Sequence, residues 1–287
     1  MSESGVSTLF VAGAGLMGSG IAQTGAQSGL RVRLFDALPG AAERAREQIG
    51  SRLARAESQG KAPSGSAERC LDLLEVASSL PPPGDTQVVI EAITEQEELK
   101  LAFWSELGAG CAGEVLFASN TSSIPITRLA AASGRPDRFI GMHFYSPVPV
   151  MELVELVPGL LTSEATYATI EALGRELGKR PVRSADSPGF IGNRILIPFL
   201  NEAIQAYQEG VGTAADIDQV ARLGFRHPMG PLELADFIGL DVVLGICRVM
   251  HQGLHDPRYA PNPILERMVE AGQLGRKSGR GFYQYGG

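Results

Sequence analysis

Residues 138–155 read RFIGMHFYSPVPVMELVE, a stretch in which His143 closes one apolar run and Glu155 sits inside another, across Pro147 and Pro149. An imidazole held beside a carboxylate is a proton acceptor fixed in one orientation. The carboxylate stabilises the cation that forms, so the pair suits a general base that must also return its proton. The flanks read as two strands of one sheet, with the prolines breaking the pairing between them. Alternation along the second run puts Met151, Leu153, Glu155 and Val157 on one face, which leaves Glu155 among apolar neighbours and in need of a partner. The same residues also read as a plain strand end with Glu155 facing solvent. This stretch alone leaves both readings open.

A second set of residues points to a dinucleotide. VSTLFVA predicts a buried strand, the loop Gly13-Ala14-Gly15-Leu16-Met17-Gly18 follows at once, and a helix runs to about Gly29 before the strand RVRLFD closes on Asp36. In such a unit Gly13 permits the tight turn, Gly15 lets backbone N–H groups approach a pyrophosphate, and Gly18 lets the helix pack closely on the strand. Leu16 and Met17 complete that cofactor loop. Asp36 stands where a carboxylate accepts hydrogen bonds from an adenosine ribose. Ala37-Leu38-Pro39 follows with no arginine, so a 2′-phosphate would meet a carboxylate and no cation. NAD is therefore expected over NADP.

The elements that must position these groups follow in order. Residues 40–60 have helical spacing, and Arg44, Arg46, Arg52, Arg55 and Lys61 gather there; they read either as a patch for a phosphate-bearing substrate or as a solvated helix face. A short helix and the rigid loop SSLPPPGD precede the buried strand TQVVIEAI. Its end, Glu91 to Glu95, falls where a doubly wound sheet faces its cofactor crevice, as does the polar strand end Asn120-Thr121-Ser122-Ser123. After the helix SEATYATIEALGRELG and the strand in RPVRSADSPGF, the alternation of strand and helix stops. FIGNRILIPFLNEAIQAYQEG reads as a long helix, apolar on more than one side and suited to burial between partners, with Asn193 near its start. TAADIDQVARLG begins at Thr213 with Asp216 at capping-box distance. PLELADFIGLDVVLGICRVM continues as helix, and the aromatics of the basic tail GRKSGRGFYQY are expected to pack back on the fold. The expected class is α/β: a Rossmann-type, mostly parallel sheet domain over residues 1–186, then an all-α domain over 187–287.

Composition narrows the function classes. A net charge of −7 argues against nucleic acid, although a local basic patch could still hold one anionic ligand. No run approaches the roughly 18 uninterrupted apolar residues of a membrane helix. The N-terminal MSESGVSTLFVAG has no basic region ahead of its apolar run, so a cytoplasmic protein is expected. Three cysteines outside any CxxC spacing fit reduced thiols. His251 and His255 stand four apart, but HDP ends their helix and no third ligand is evident, so no metal is expected.

Taken in order and over essentially the whole chain, GAGLMGSGIAQ, VIEAITE, SNTSSIPIT, RFIGMHFYSPVPVMELVE, SPGFIGNRI, HPMGPLELADFIGLD and GRKSGRGFYQY resemble the L-3-hydroxyacyl-CoA dehydrogenases, especially the bacterial 3-hydroxybutyryl-CoA type. The resemblance implies that His143 is the catalytic base and Glu155 its partner, and that Ser122 and Asn193 position the substrate carbonyl or hydroxyl. It places Asp36, Glu95, Lys100 and Lys277, with Ser122, near the NAD. It also implies an acyl-CoA substrate of the kind met in fatty acid β-oxidation, and a homodimer formed through the helical domain.

Two departures bear on substrate. The family usually has asparagine where this chain has Ser146, and the lysines that commonly contact coenzyme A are partly replaced, with Arg55 and Gln59 among the matching positions. Arg52, Arg55 and Lys61 are the candidate phosphate contacts. A same-fold dehydrogenase of a free 3-hydroxy or sugar acid is the nearest alternative, as in lambda-crystallin-like relatives. An idle NAD-binding sensor is the other, and it would need no proton acceptor at His143.

Overall fold

The computed structural model describes residues 3–82 and 84–286. Pro83, within the expected rigid loop SSLPPPGD, lies outside the described residues, as do Met1, Ser2 and Gly287. The chain forms two compact units that divide between Asp186 and Ser187.

The first unit begins with β1 (Thr8–Ala12), α1 (Leu16–Gln27), β2 (Arg31–Phe35), α2 (Ala41–Ser58), α3 (Ser66–Leu73), β3 (Leu74–Val76) and β4 (Val88–Glu91). It continues through α4 (Glu97–Gly110), β5 (Leu116–Ser119), α5 (Ile126–Ala132), β6 (Phe139–Phe144), β7 (Leu153–Pro158), α6 (Glu164–Glu176) and β8 (Arg180–Arg183). The eight strands form one sheet in the order β3-β2-β1-β4-β5-β6-β7-β8. Every neighbouring pair is parallel except β6 with β7. The expected mostly parallel, doubly wound sheet is present. β1, β4 and β6 are buried along their whole length, as their continuous apolar runs require of central strands covered on both faces.

Parallel alignment brings the carboxyl ends of β1, β4, β5 and β6 to one edge, where Ala12, Glu91, Ser119 and Phe144 end their strands. β7 then runs the other way, and its register sets Glu155 directly opposite His143. The prolines do not break this pairing: it runs to Phe144 and Val154, because Pro147 and Pro149 lie in the unpaired connection. Met151 falls in that connection too, so the alternating face begins at Leu153. β3 was not expected. Its three residues are too few to show a pattern, and Arg46 ties the strand to α3 by donating to the carbonyls of Leu74 at 2.8 Å and Leu71 at 3.0 Å. Arg46 therefore belongs to the framework and not to a phosphate patch. α5 starts after Pro125, and Asp186 supplies its cap from 60 residues away, accepting from the N–H groups of Ile126 and Thr127 at 2.8 Å.

The second unit is helical: α7 (Gly192–Gln208), α8 (Ala214–Gly224), α9 (Pro231–Ile238), α10 (Leu240–Leu254) and α11 (Pro263–Glu270). Ile197, Leu200, Ile204, Leu232, Val243, Cys247 and Met250 form its core. α7 runs through Pro198, which can make no bond to the carbonyl four residues back. At the start of α8 only half of the capping box forms. Thr213 accepts from the Asp216 N–H at 3.2 Å, but the Asp216 carboxylate takes the Thr213 hydroxyl proton at 2.6 Å. The tail packs back through two buried carboxylates. Asp218 accepts from Leu232 and Glu233 N–H and from the Tyr283 hydroxyl, and Asp236 accepts from Phe282 and Tyr283 N–H and from the Tyr285 hydroxyl. Burial pushes the Asp236 carboxyl above its ordinary range. Among the described residues, no helix is long and apolar enough to cross a membrane.

Candidate active site

The glycine loop has the geometry that a dinucleotide pyrophosphate requires. Gly13 has φ +102°, and a Cβ there would lie 2.4 Å from the Ala92 carbonyl oxygen; a Cβ on Gly18 would lie 1.8 Å from the Gly13 oxygen. Both positions exclude any side chain. A Cβ on Gly15 would meet nothing within 4 Å, so this is the open face of the loop. Gly15 starts α1 without a side-chain cap, and Leu16 is 71% exposed beside it. The first N–H groups of α1 are thus set to face an anion. Asp36, just past β2, accepts from the Ala14 N–H at 2.7 Å and from the Leu38 N–H at 2.8 Å. Two such bonds use about half of a carboxylate's acceptor capacity, which leaves the rest for ribose hydroxyls. These residues fit a dinucleotide.

At the other end of the same edge, His143 and Glu155 are both buried, and Nδ1 of the imidazole lies 2.8 Å from Glu155 Oε2. The solvent-facing reading of Glu155 is overturned, since it is 1% exposed. A carboxylate can only accept, so the proton of this bond sits on Nδ1. A third group was not anticipated: the Tyr145 hydroxyl donates to the same Oε2 at 2.8 Å. Its phenol is pushed upward by burial and then by Glu155. The only signal in the sequence is its place two residues after His143, beyond the strand end, where alternation ceases to be a guide. Asn120 fixes the backbone beneath, accepting from the Phe144 N–H at 2.9 Å.

Between these two sites the ends of β4 and β5 carry a polar network. Glu91 Oε2 accepts from the Ser119 hydroxyl at 2.7 Å, and Glu91 Oε1 is ion-paired with Lys100. Lys100 also lies 3.4 Å from Glu95. Glu95 in turn accepts from the Thr121, Ser122 and Ser123 hydroxyls and from the Ser122 N–H. Burial would raise the Glu95 carboxyl, but the Lys100 charge and these donors outweigh it and hold it below the ordinary range. Ser122 and Glu95 are thus brought together. Lys100, placed near the cofactor by resemblance, is only 1% exposed, with its ammonium committed to the two glutamates.

The remaining candidates belong to other elements of the chain. Arg52 and Arg55 are exposed in the last turns of α2 and Lys61 is exposed just beyond it, and Arg52 donates to Gln23 at 3.1 Å. Ser146 is exposed in the connection after β6. Asn193 and Lys277 belong to the second unit, where Asn193 is buried on the first turn of α7 and Lys277 pairs with Asp241 at 2.6 Å. His255 ends α10 in a left-handed conformation. Among the described residues, no group of three or more His, Cys, Asp or Glu side chains could hold a metal ion.

Residues 8–187 match the family described as 3-hydroxyacyl-CoA dehydrogenase, NAD binding domain, and residues 189–285 match that described as 3-hydroxyacyl-CoA dehydrogenase, C-terminal domain. The chain is 48% identical over 280 residues to the probable 3-hydroxybutyryl-CoA dehydrogenase of Bacillus subtilis, covering 98% of each. It is 38% identical to the human mitochondrial hydroxyacyl-coenzyme A dehydrogenase, covering 96% of this chain and 90% of that one. The crystal structure of (S)-3-hydroxybutyryl-CoA dehydrogenase from Ralstonia eutropha matches with a TM-score of 0.95 at 44% identity, over 98% of this chain and 100% of that one. The chain belongs to the 3-hydroxyacyl-CoA dehydrogenase family and is an NAD-dependent oxidoreductase.

Proposed function

We propose that the chain oxidises L-3-hydroxyacyl-CoA, 3-hydroxybutyryl-CoA in particular, to the 3-oxoacyl-CoA, and runs the reverse reaction, with His143 as the proton acceptor and Glu155 as its partner. The buried 2.8 Å contact between them at the carboxyl edge of the sheet carries this reading. With Nδ1 committed to Glu155, the hydroxyl proton is assigned to Nε2, and the carboxylate stabilises the imidazolium that results. Bound NAD supplies the acceptor for the hydride that leaves carbon 3. Ser122, fixed through its N–H and hydroxyl by Glu95, orients the reacting oxygen, and such positioning is worth orders of magnitude in rate. The names of the relatives support the acyl-CoA substrate. The test is NADH oxidation with acetoacetyl-CoA beside free acetoacetate and a 3-oxo sugar acid. Acetoacetyl-CoA should have the highest kcat/KM; a higher value for a free acid would overturn the reading.

NAD(H) should be preferred over NADP(H) by at least about tenfold in kcat/KM, or ~1.4 kcal/mol. The carboxylate of Asp36 would repel a 2′-phosphate. Equal efficiencies with the two cofactors would remove Asp36 from that role.

The exposed Arg52, Arg55 and Lys61 supply the local cations that a protein of net charge −7 needs to hold the phosphates of coenzyme A. Arg52→Ala with Arg55→Ala should raise KM for acetoacetyl-CoA severalfold and leave kcat and KM for NADH nearly unchanged, because remote contacts bind ground and transition states alike. Added salt should weaken the wild type more than the double variant, since exposed charges are screened over about 8–10 Å. Identical KM and salt response would make α2 a solvated face only.

Association as a homodimer is proposed for the second unit. Val211, Val220, Leu223 and Phe225, on and beside α8, are each more than half exposed, which supports a self-association surface. Light scattering should give about twice the 30.4 kDa chain mass, and a monomer at micromolar concentration would refute it.

A further inference from the structure

Two donors meet on one carboxylate oxygen. His143 Nδ1 and the Tyr145 hydroxyl each lie 2.8 Å from Glu155 Oε2, and the two rings stand 4.9 Å apart between centroids, tilted by 47°. We propose that Tyr145 is a positioning residue that, by donating to the oxygen His143 uses, lowers the proton affinity of the His143–Glu155 pair. The inference rests on the reading of His143 as proton acceptor.

The effect of the phenol is electrostatic. Without the extra proton the pair carries one negative charge, held on Glu155; with His143 protonated the pair is neutral overall. A hydrogen bond to the carboxylate favours the state with the larger unbalanced negative charge, so the phenol stabilises the deprotonated pair more than the protonated one. It also competes with the imidazole for the same oxygen. The phenol keeps its proton throughout the working range, because burial and the adjacent carboxylate both oppose its ionisation. Tyr145 is thus a constant donor.

Glu155 from β7 and Tyr145 from the connection after β6 both face His143 in this unit. Of the charged side chains at the sheet edge, Glu91, Glu95 and Lys100 are committed to one another and to Ser119, Thr121, Ser122 and Ser123, and Asp36 accepts from the Ala14 and Leu38 N–H groups. Asn120, which holds the Phe144 N–H, is uncharged.

Tyr145→Phe removes the donor and keeps the ring. Its effect is read first without turnover, by NMR titration of ¹⁵N-labelled histidine in the whole protein, with the His143 signals assigned by their loss in His143→Gln. The chain has four histidines, so His227, His251 and His255 are internal controls for the fold. The His143 midpoint should rise by roughly 0.5–1 pH unit, a change of about three- to tenfold in proton affinity, with the controls unmoved. The pH profiles of kcat/KM for alcohol oxidation and for ketone reduction should move by the same amount toward alkaline pH, with KM for NADH unchanged. An unchanged or lowered midpoint would overturn the proposal. A raised midpoint with unmoved rate profiles would uphold the tuning while sinking the reading of His143 as the proton acceptor.

Discussion

His143→Gln should lower kcat about 10²- to 10⁴-fold, the usual contribution of a positioned acid or base, while the dissociation constant for NADH stays where it was. The glycine loop and Asp36 lie at a different part of the sheet edge from His143, so the adenosine and pyrophosphate contacts proposed for them should be untouched. Glu155→Gln should also slow turnover strongly, by less than the loss of His143. The amide can still accept from Nδ1 and orient the ring, but it brings no charge to stabilise the imidazolium. The double variant should fall little below His143→Gln alone, because the two groups act as a unit and their losses do not add. NADH fluorescence titration separates the outcomes. Loss of cofactor binding in Glu155→Gln would make Glu155 a structural residue.

What could be read from the chain alone follows from how local each constraint is. The glycine loop was legible because its demands are met within a few residues: a turn with φ +102° at Gly13 and a helix packed too tightly at Gly18 for any side chain. His143 and Glu155 were legible as types, but their contact depends on an antiparallel register set by an unpaired connection over residues 145–152, which alternation permits and does not dictate. Tyr145 was missed because it lies in that connection. Lys100 was assigned to the cofactor's surroundings, and nothing in hydropathy marks it as a buried ammonium whose partner ends a strand nine residues earlier. The caps that Asp186 and Asp218 give to α5 and α9 were invisible for the same reason. Their acceptors are brought to the helix ends by the fold, not by the neighbouring sequence.

Lys100→Met should destabilise the protein by about 3–5 kcal/mol, the usual result of removing one partner of a buried ion pair. The Lys100 side chain is 1% exposed and that of Glu91 is fully buried, so loss of the ammonium leaves the Glu91 charge without compensation where water cannot replace it. Adding Glu91→Gln should recover much of the loss, since a neutral amide can keep the Ser119 hydroxyl bond without a buried charge. Urea unfolding would read both as a change in midpoint at constant slope. Acid provides an independent check of sign. Glu95 is held below its ordinary value of 4.5, with Lys100 the first of the groups that lower it, so its contribution is present above that value and is lost as pH falls through the folded one. Without Lys100 the Glu95 carboxyl loses the charge that holds it down and takes up its proton at higher pH. The gap between wild type and Lys100→Met should therefore narrow as pH drops from 7 toward 4. A gap that stays constant over this range would assign the loss to packing of the lysine stem, and the network at the ends of β4 and β5 would owe little to its charges.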